Sequence, residues 1–182
     1  MDKDPDARLV HACNNGDRVA YETLLTRYEK PIYNVAMRML RDQEDARDVV
    51  QNVFTSVFEK LHQFNFEHKF YSWIYRIAIN EAIDILNRRN RSAPFEDEES
   101  LAGGSTPFEE CNDDERSTML QAAMMKLPPD YRAVVILRHF VDRSYQEMSE
   151  ILGIPEKTVK SRLFTARQLL REQLKAHGLS SA

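Results

Sequence analysis

One glycine between two sets of helix signals constrains this chain most. In SYQEMSEILG, residues 144–153, a Ser is followed three residues later by Glu, the capping-box spacing in which hydroxyl and carboxylate each take up a backbone amide. Met148, Ile151 and Leu152 then form an apolar face, Gly153 supplies the left-handed residue that ends a helix, and Pro155 suits the start of the next. Two short helices around a Gly-containing turn make a helix-turn-helix. At about 100° per residue, Val159, Leu163, Ala166, Leu170 and Leu174 form the inner stripe of the second helix. Lys157, Ser161, Phe164, Thr165 and Gln168 fall on the opposite side, flanked by Arg162 and Arg167. Lys and Ser can reach base edges, Phe can pack on thymine methyls, and flanking arginines can hold phosphates. The outer face therefore suits a DNA major groove. The plainer alternative is that Phe164 folds back onto a neighbouring helix.

The N-terminal half is helical in pattern as well. Tyr21, Leu24, Leu25, Tyr28, Ile32, Val35, Met39 and Leu40 recur at three- and four-residue steps, with a kink or restart expected at Pro31. Ala46, Val49, Val50, Val53, Phe54, Val57, Phe58 and Leu61 continue the rule after Asp42, which reads as an N-cap. A third helix is expected through FYSWIYRIAINEAIDILNRR. No segment alternates with period two over any length, so the expected fold is all-α, with no internal repeat.

Charge divides the chain. Residues 1–91 carry 14 basic and 14 acidic side chains, residues 92–116 one and nine, and residues 117–182 ten and six. The acidic middle, with two prolines, two glycines and three serines, cannot bury enough apolar surface to offset the entropy of ordering. It reads as a flexible linker between two small helical domains, 1–91 and 117–182, the second being the helix-turn-helix.

Several classes are excluded. Cys13 and Cys111 have no CxxC or His companion, so no metal site or disulfide framework is expected. The acidic N-terminus is no signal peptide, and no apolar run reaches the length of a membrane span, so a cytoplasmic protein without membrane insertion is expected. No Gly-rich phosphate loop, HExxH or GxSxG occurs, and His11, His62, His68, His139 and His177 are scattered. Neither catalytic residues nor a cofactor are expected. The remaining alternatives are a stand-alone helix-turn-helix regulator and a helical scaffold that binds only protein.

The C-terminal sequence LPPDYRAVVILRHFVDRSYQEMSEILGIPEKTVKSRLFTARQLLREQL resembles region four of the extracytoplasmic-function (ECF) sigma factors of bacterial RNA polymerase. DARDVVQNVFTSVFEKL and FYSWIYRIAIN resemble region two of the same family. The resemblance covers about 150 of the 182 residues, with both regions in order around a variable linker.

The resemblance implies a factor that binds core RNA polymerase, at the β′ clamp and β flap, and directs promoter recognition and initiation. It implies −35 contacts from Lys157, Thr158, Lys160, Ser161, Arg162, Phe164, Thr165 and Arg167, Thr165 standing where many members have Arg. Polymerase docking falls to Asp42, Glu44, Asp45, Asp48, Gln51 and Asn52, the last standing where the family often has Glu. Strand separation at the −10 element needs aromatic surface and cations along the single strand. Phe64, Phe66, Phe70, Tyr71, Trp73 and Tyr75 are the aromatic supply, with Trp73 expected in the core. Asn80, Glu81, Ala82, Ile83 and Asp84 are expected as a base-capturing loop, and Arg76, Arg88, Arg89 and Arg91 as phosphate contacts. An anti-sigma factor is implied as a further partner, and no regulatory domain is expected beyond the last helix.

Overall fold

The computed structural model describes residues 6–92 and 114–176. Among them are eight α-helices and a short 3-10 turn, and no strand. The helices are α1 Ala7–Asn14, α2 Arg18–Leu40, α3 Gln43–Lys60, α4 Phe70–Ser92, α5 Asp114–Met125, α6 Pro129–His139, α7 Tyr145–Leu152 and α8 Glu156–Ala176. The all-α expectation holds. Most of the expected linker lies outside the described residues, but its edge does not: α5 begins at Asp114, within the expected linker.

The caps follow the sequence signals. Asp42 accepts from the amides of Glu44 (2.9 Å) and Asp45 (3.0 Å) at the start of α3. Glu147 accepts from the Ser144 amide at 2.8 Å while the Ser144 hydroxyl accepts from the Glu147 amide at 3.2 Å, the full capping box of α7. Gly153 closes α7 at φ 65°, where a Cβ would be strained. Pro31 neither breaks nor restarts α2, which runs through it. It removes one amide from the ladder, and burial of Tyr28, Ile32 and Val35 on either side holds the helix together.

α2, α3 and α4 pack on one another with α1 against α2, and α8 gathers α5, α6 and α7 into a second unit. Leu24, Ile32, Met39, Phe70, Ile74 and Ile79 fill the first centre, and Ile136, Leu137, Met148, Ile151 and Leu163 the second. Phe58, expected inside, is 72% exposed. Its ring meets Tyr21 edge-on at 5.5 Å at the rim of the α2–α3 contact, because the apolar stripe of α3 is wider than the helices covering it.

The two units share one continuous core. Arg132 of α6 joins them. Its side chain is buried, donating to the carbonyls of Met124 (3.0 Å), Met125 (2.5 Å) and Leu127 (3.0 Å) at the end of α5, and to that of Met39 in the last turn of α2. Helix ends leave carbonyls without partners, and one guanidinium here serves two such ends. Burial lowers its pKa to about 10, which leaves it charged at neutral pH.

Candidate nucleic-acid and polymerase interfaces

The first half of the inner stripe of α8 is buried as expected, Val159, Leu163 and Ala166 having at most 1% exposure, while Leu170 and Leu174 further along are half-buried. Phe164 is 63% exposed on the far side. Lys157, Lys160, Ser161 and Arg167 are exposed beside it, with Thr158 and Thr165 half-buried. Ser161 turns its hydroxyl back to the Thr158 carbonyl at 3.1 Å. Lys160 pairs with Glu156 one turn away at 3.1 Å, a contact worth only a few tenths of a kcal/mol and easily exchanged for a phosphate. Arg162 is held at 3.0 Å by Asp130 of α6 and is half-buried. Arg167 lies 3.4 Å from Nε2 of His139, and burial, then Arg167 and Arg138, lower the pKa of that histidine.

On α3, Glu44, Asp48, Gln51 and Asn52 are exposed. Asp42 and Asp45 are not free. Arg89 of α4 lies 3.4 Å from Asp42, bonds Asp45, and reaches the Leu40 carbonyl at 3.5 Å. The structure thus places Arg89 among the acids expected for polymerase, stitching the α2–α3 corner to α4.

The expected loop at Asn80 is overturned. Asn80, Glu81, Ala82, Ile83 and Asp84 lie in the middle of α4, and Ala82 is fully buried, so it presents no surface to a base. The buried series Ala78, Ile79, Ala82, Ile85 and Leu86 carries helical spacing through the segment and keeps it helical. What the helix offers instead is a row. Arg76, Asn80, Asp84 and Arg88 stand four residues apart and are all exposed, with Arg91 beyond them; Glu81 and Ile83 flank it half-buried. Arg88 bonds the Asp84 carbonyl at 3.4 Å. Tyr71 is 9% exposed, and its hydroxyl donates to Glu147.

Aromatic groups converge at the other end of α4. Phe64 lies 5.5 Å from Trp73 and 5.9 Å from Phe70, ring centre to ring centre, and Phe66 stacks on His11 of α1 at 4.0 Å. Trp73 is half-buried, partly in the core as expected. Beside it opens a cavity of about 170 Å³ lined by Gln63, Phe64, Asn65, His68, Ser72, Trp73 and Arg76, with Glu150 of α7 as a further wall. Gln63, Asn65 and His68 were not among the expected site residues. The signal for them was the turn-forming Asn65, whose side chain accepts from the Glu67 amide at 2.9 Å.

Comparison with known proteins finds two family models along the chain. The family model for Sigma-70 region 2 matches residues 24–92, which hold α3 and α4. The model for Sigma-70, region 4 matches residues 117–170, which hold the helix-turn-helix. The chain is 30% identical to the RNA polymerase sigma-H factor of Pseudomonas aeruginosa, over 96% of each. It is 32% identical to the ECF RNA polymerase sigma factor SigW of Bacillus subtilis, over 92% of this chain and 96% of that one. Its fold is similar to that of the sigma factor RpoE from Bartonella quintana, solved with the anti-sigma factor NepR, at a TM-score of 0.68 and 23% identity, over 85% of this chain and 96% of the other. With both regions in order and identity at this level along nearly its whole length, the chain belongs to the ECF family of RNA polymerase sigma factors.

Proposed function

We propose a division of labour among three surfaces of this sigma factor. The outer face of α8, centred on Lys157, Ser161 and Phe164, reads the −35 element. The exposed row on α4 and the cavity beside Trp73 take the −10 strand, Arg76, Arg88 and Arg91 following phosphates while the aromatic wall replaces lost stacking. Glu44, Asp48, Gln51 and Asn52 on α3 dock on the β′ clamp of core polymerase, and the C-terminal unit meets the β flap. The domain division that serves this is 1–91, a linker over 92–116, and 117–182.

The observation that carries the reading is Phe164. A large apolar ring at 63% exposure in the second helix of a helix-turn-helix, among cations and hydroxyls, has work outside its own fold. A stand-alone duplex-binding regulator would use α8 in the same way, but it has no use for an aromatic cavity at the head of α4.

The protein acts in the cytoplasm, where its polymerase works, and supplies no catalytic group of its own. An anti-sigma factor is its expected partner, as the sigma factor of similar fold is found in complex with the anti-sigma factor NepR. Reconstitution with core polymerase tests the assignment: run-off transcription from a promoter selected by the holoenzyme requires this chain. Duplex binding by the chain with no stimulation of initiation would overturn it in favour of the regulator.

A further inference from the structure

At the flank of the outer face of α8, two groups that can both carry positive charge touch. Nη2 of Arg167 lies 3.4 Å from Nε2 of His139, in the last turn of α6, and both residues are exposed. Arg167 follows Phe164 by three residues, so the two are neighbours on the helix surface and the contact sits at the edge of the recognition face. Two other cations of α8 have carboxylates beside them: Glu156 lies 3.1 Å from Lys160, and Asp130 lies 3.0 Å from Arg162. Arg167 meets an imidazole instead. The charges that act on this ring are both positive, Arg167 from α8 and Arg138 from its own helix; burial and then these two lower its pKa from the ordinary 6.5. Of the other elements packed on α6, α2 brings Arg38, stacked 3.9 Å over the ring of Phe140, and α7 brings Tyr145, whose ring centre is 5.4 Å from Arg138. A helix C-terminus ordinarily favours a charged imidazole, and here burial and the guanidiniums outweigh it.

We propose that His139 and Arg167 form a phosphate clamp at the edge of the −35 interface: a backbone phosphate of the duplex enters between the two side chains, and the imidazole takes one proton from solvent as the DNA binds. The inference rests on the −35 reading of α8. A phosphate supplies the negative charge that this contact lacks. Its oxygens accept from the guanidinium and from a protonated imidazole at once, and its charge offsets the repulsion that disfavours the imidazolium in the free chain. Protonation completes the exchange, because an imidazolium has two N–H donors and no lone pair left for Arg167. The proton comes from the buffer, one for each ring that starts uncharged and ends charged. Phosphates flank the major groove whatever its sequence, so the clamp adds affinity and fixes the docking of α8 without reading a base. Linkage gives the sign. A group whose pKa is higher in the bound state strengthens binding as pH falls through that bound-state value, and the gain levels off below the free-state one.

The test titrates the full-length chain with a duplex carrying the −35 sequence selected by the holoenzyme from a random pool. Salt is held constant while pH runs from about 8 to about 5.5, either side of the ordinary histidine value. Wild-type affinity rises about tenfold over this range for each unit by which the phosphate raises the imidazole pKa. Calorimetry in two buffers of different ionisation enthalpy shows net proton uptake on binding, a result that needs no substitution. His139→Gln can still donate a hydrogen bond but cannot titrate, so its affinity stays near the wild type's high-pH value and the uptake falls. His139→Arg carries a fixed charge and binds about tenfold tighter than wild type at pH 8. The wild-type gain is the same on duplexes with one substituted −35 base, as a phosphate contact requires. Absence of proton uptake in wild type, or a pH dependence unchanged in His139→Gln, would overturn the clamp, and a gain confined to the matched sequence would overturn the phosphate as its ligand. Phe164→Ala separates this inference from the reading beneath it. Base preference at −35 that survives in that variant overturns the −35 reading and the clamp with it, whereas preference lost there, with no proton uptake that depends on His139, overturns the clamp alone.

Discussion

Replacing Phe164 by Ala separates a recognition residue from a core residue by magnitude alone. Full burial of a phenylalanine removes about 200 Å² from water. At 63% exposure only about 70 Å² is withdrawn in the folded chain, worth about 2 kcal/mol at roughly 25 cal/mol per Å². Ala keeps part of that burial and has the better helix propensity, so the net loss of stability is about 1 kcal/mol. A core phenylalanine would cost about 3–5 kcal/mol. The exposed part, about 130 Å², sets a ceiling of about 3 kcal/mol on what covering the ring with thymine methyls can contribute, and partial cover gives about 1–3 kcal/mol of promoter affinity. Thermal melting of the variant, with anisotropy titrations of holoenzyme on duplexes bearing single −35 substitutions, measures both quantities. The expected result is a small melting change and a flattened preference at one or two −35 positions. A stability loss in the core range with the −35 preference intact would refute the wheel and the assignment together.

Local chemistry was legible in the sequence, and distant contacts were not. The capping box at Ser144, the Gly153 turn, the Asp42 cap and the first half of the inner stripe of α8 are written in residues at most a few turns apart, and each holds in the structure. The helix through Asn80 was equally legible from Ala78, Ile79, Ala82 and Ile85; the expectation of a loop came from resemblance, and the periodicity outweighs it. The partners of Arg89, Arg132 and Arg76 could not be read, because each bonds carbonyls at a helix end brought near only by packing. Every residue presents a carbonyl, so sequence does not mark which one a guanidinium will find. Composition marked the acidic stretch as a linker but said nothing of how the units on either side meet.

Three further perturbations follow from particular contacts. Asp48→Arg with Asn52→Arg abolishes core polymerase binding in a pull-down at a stability cost within about 0.5 kcal/mol, whereas Asp45→Arg confronts Arg89 and lowers the melting temperature; equal melting of the two would refute the placement of Arg89. Burial alone would raise the Glu147 pKa, but bonds from Tyr71 and from the Ser144 amide and hydroxyl, with the Arg143 charge, pull it from 4.5 down to about 2. A depressed carboxylate stabilises the fold above its unfolded pKa and loses that contribution as pH falls through the folded value. The melting difference between wild type and Glu147→Gln is therefore constant above 4.5 and shrinks toward pH 2; a difference independent of pH over that range would refute the bonded carboxylate. Asn80→Ala gives the sharpest sign. A cap residue replaced by Ala costs about 1 kcal/mol, but Asn80 is exposed in mid-helix, where Ala is the better former by about 0.5 kcal/mol. The variant should melt slightly higher than wild type. Its amide nonetheless offers both a donor and an acceptor to a base edge, so the same variant should lose discrimination at one −10 position. Stability and selectivity then move in opposite directions, which a structural role for Asn80 cannot produce. A variant that melts lower and keeps its −10 preference would refute the recognition role, and a pair of melting curves with one oligonucleotide titration series decides it.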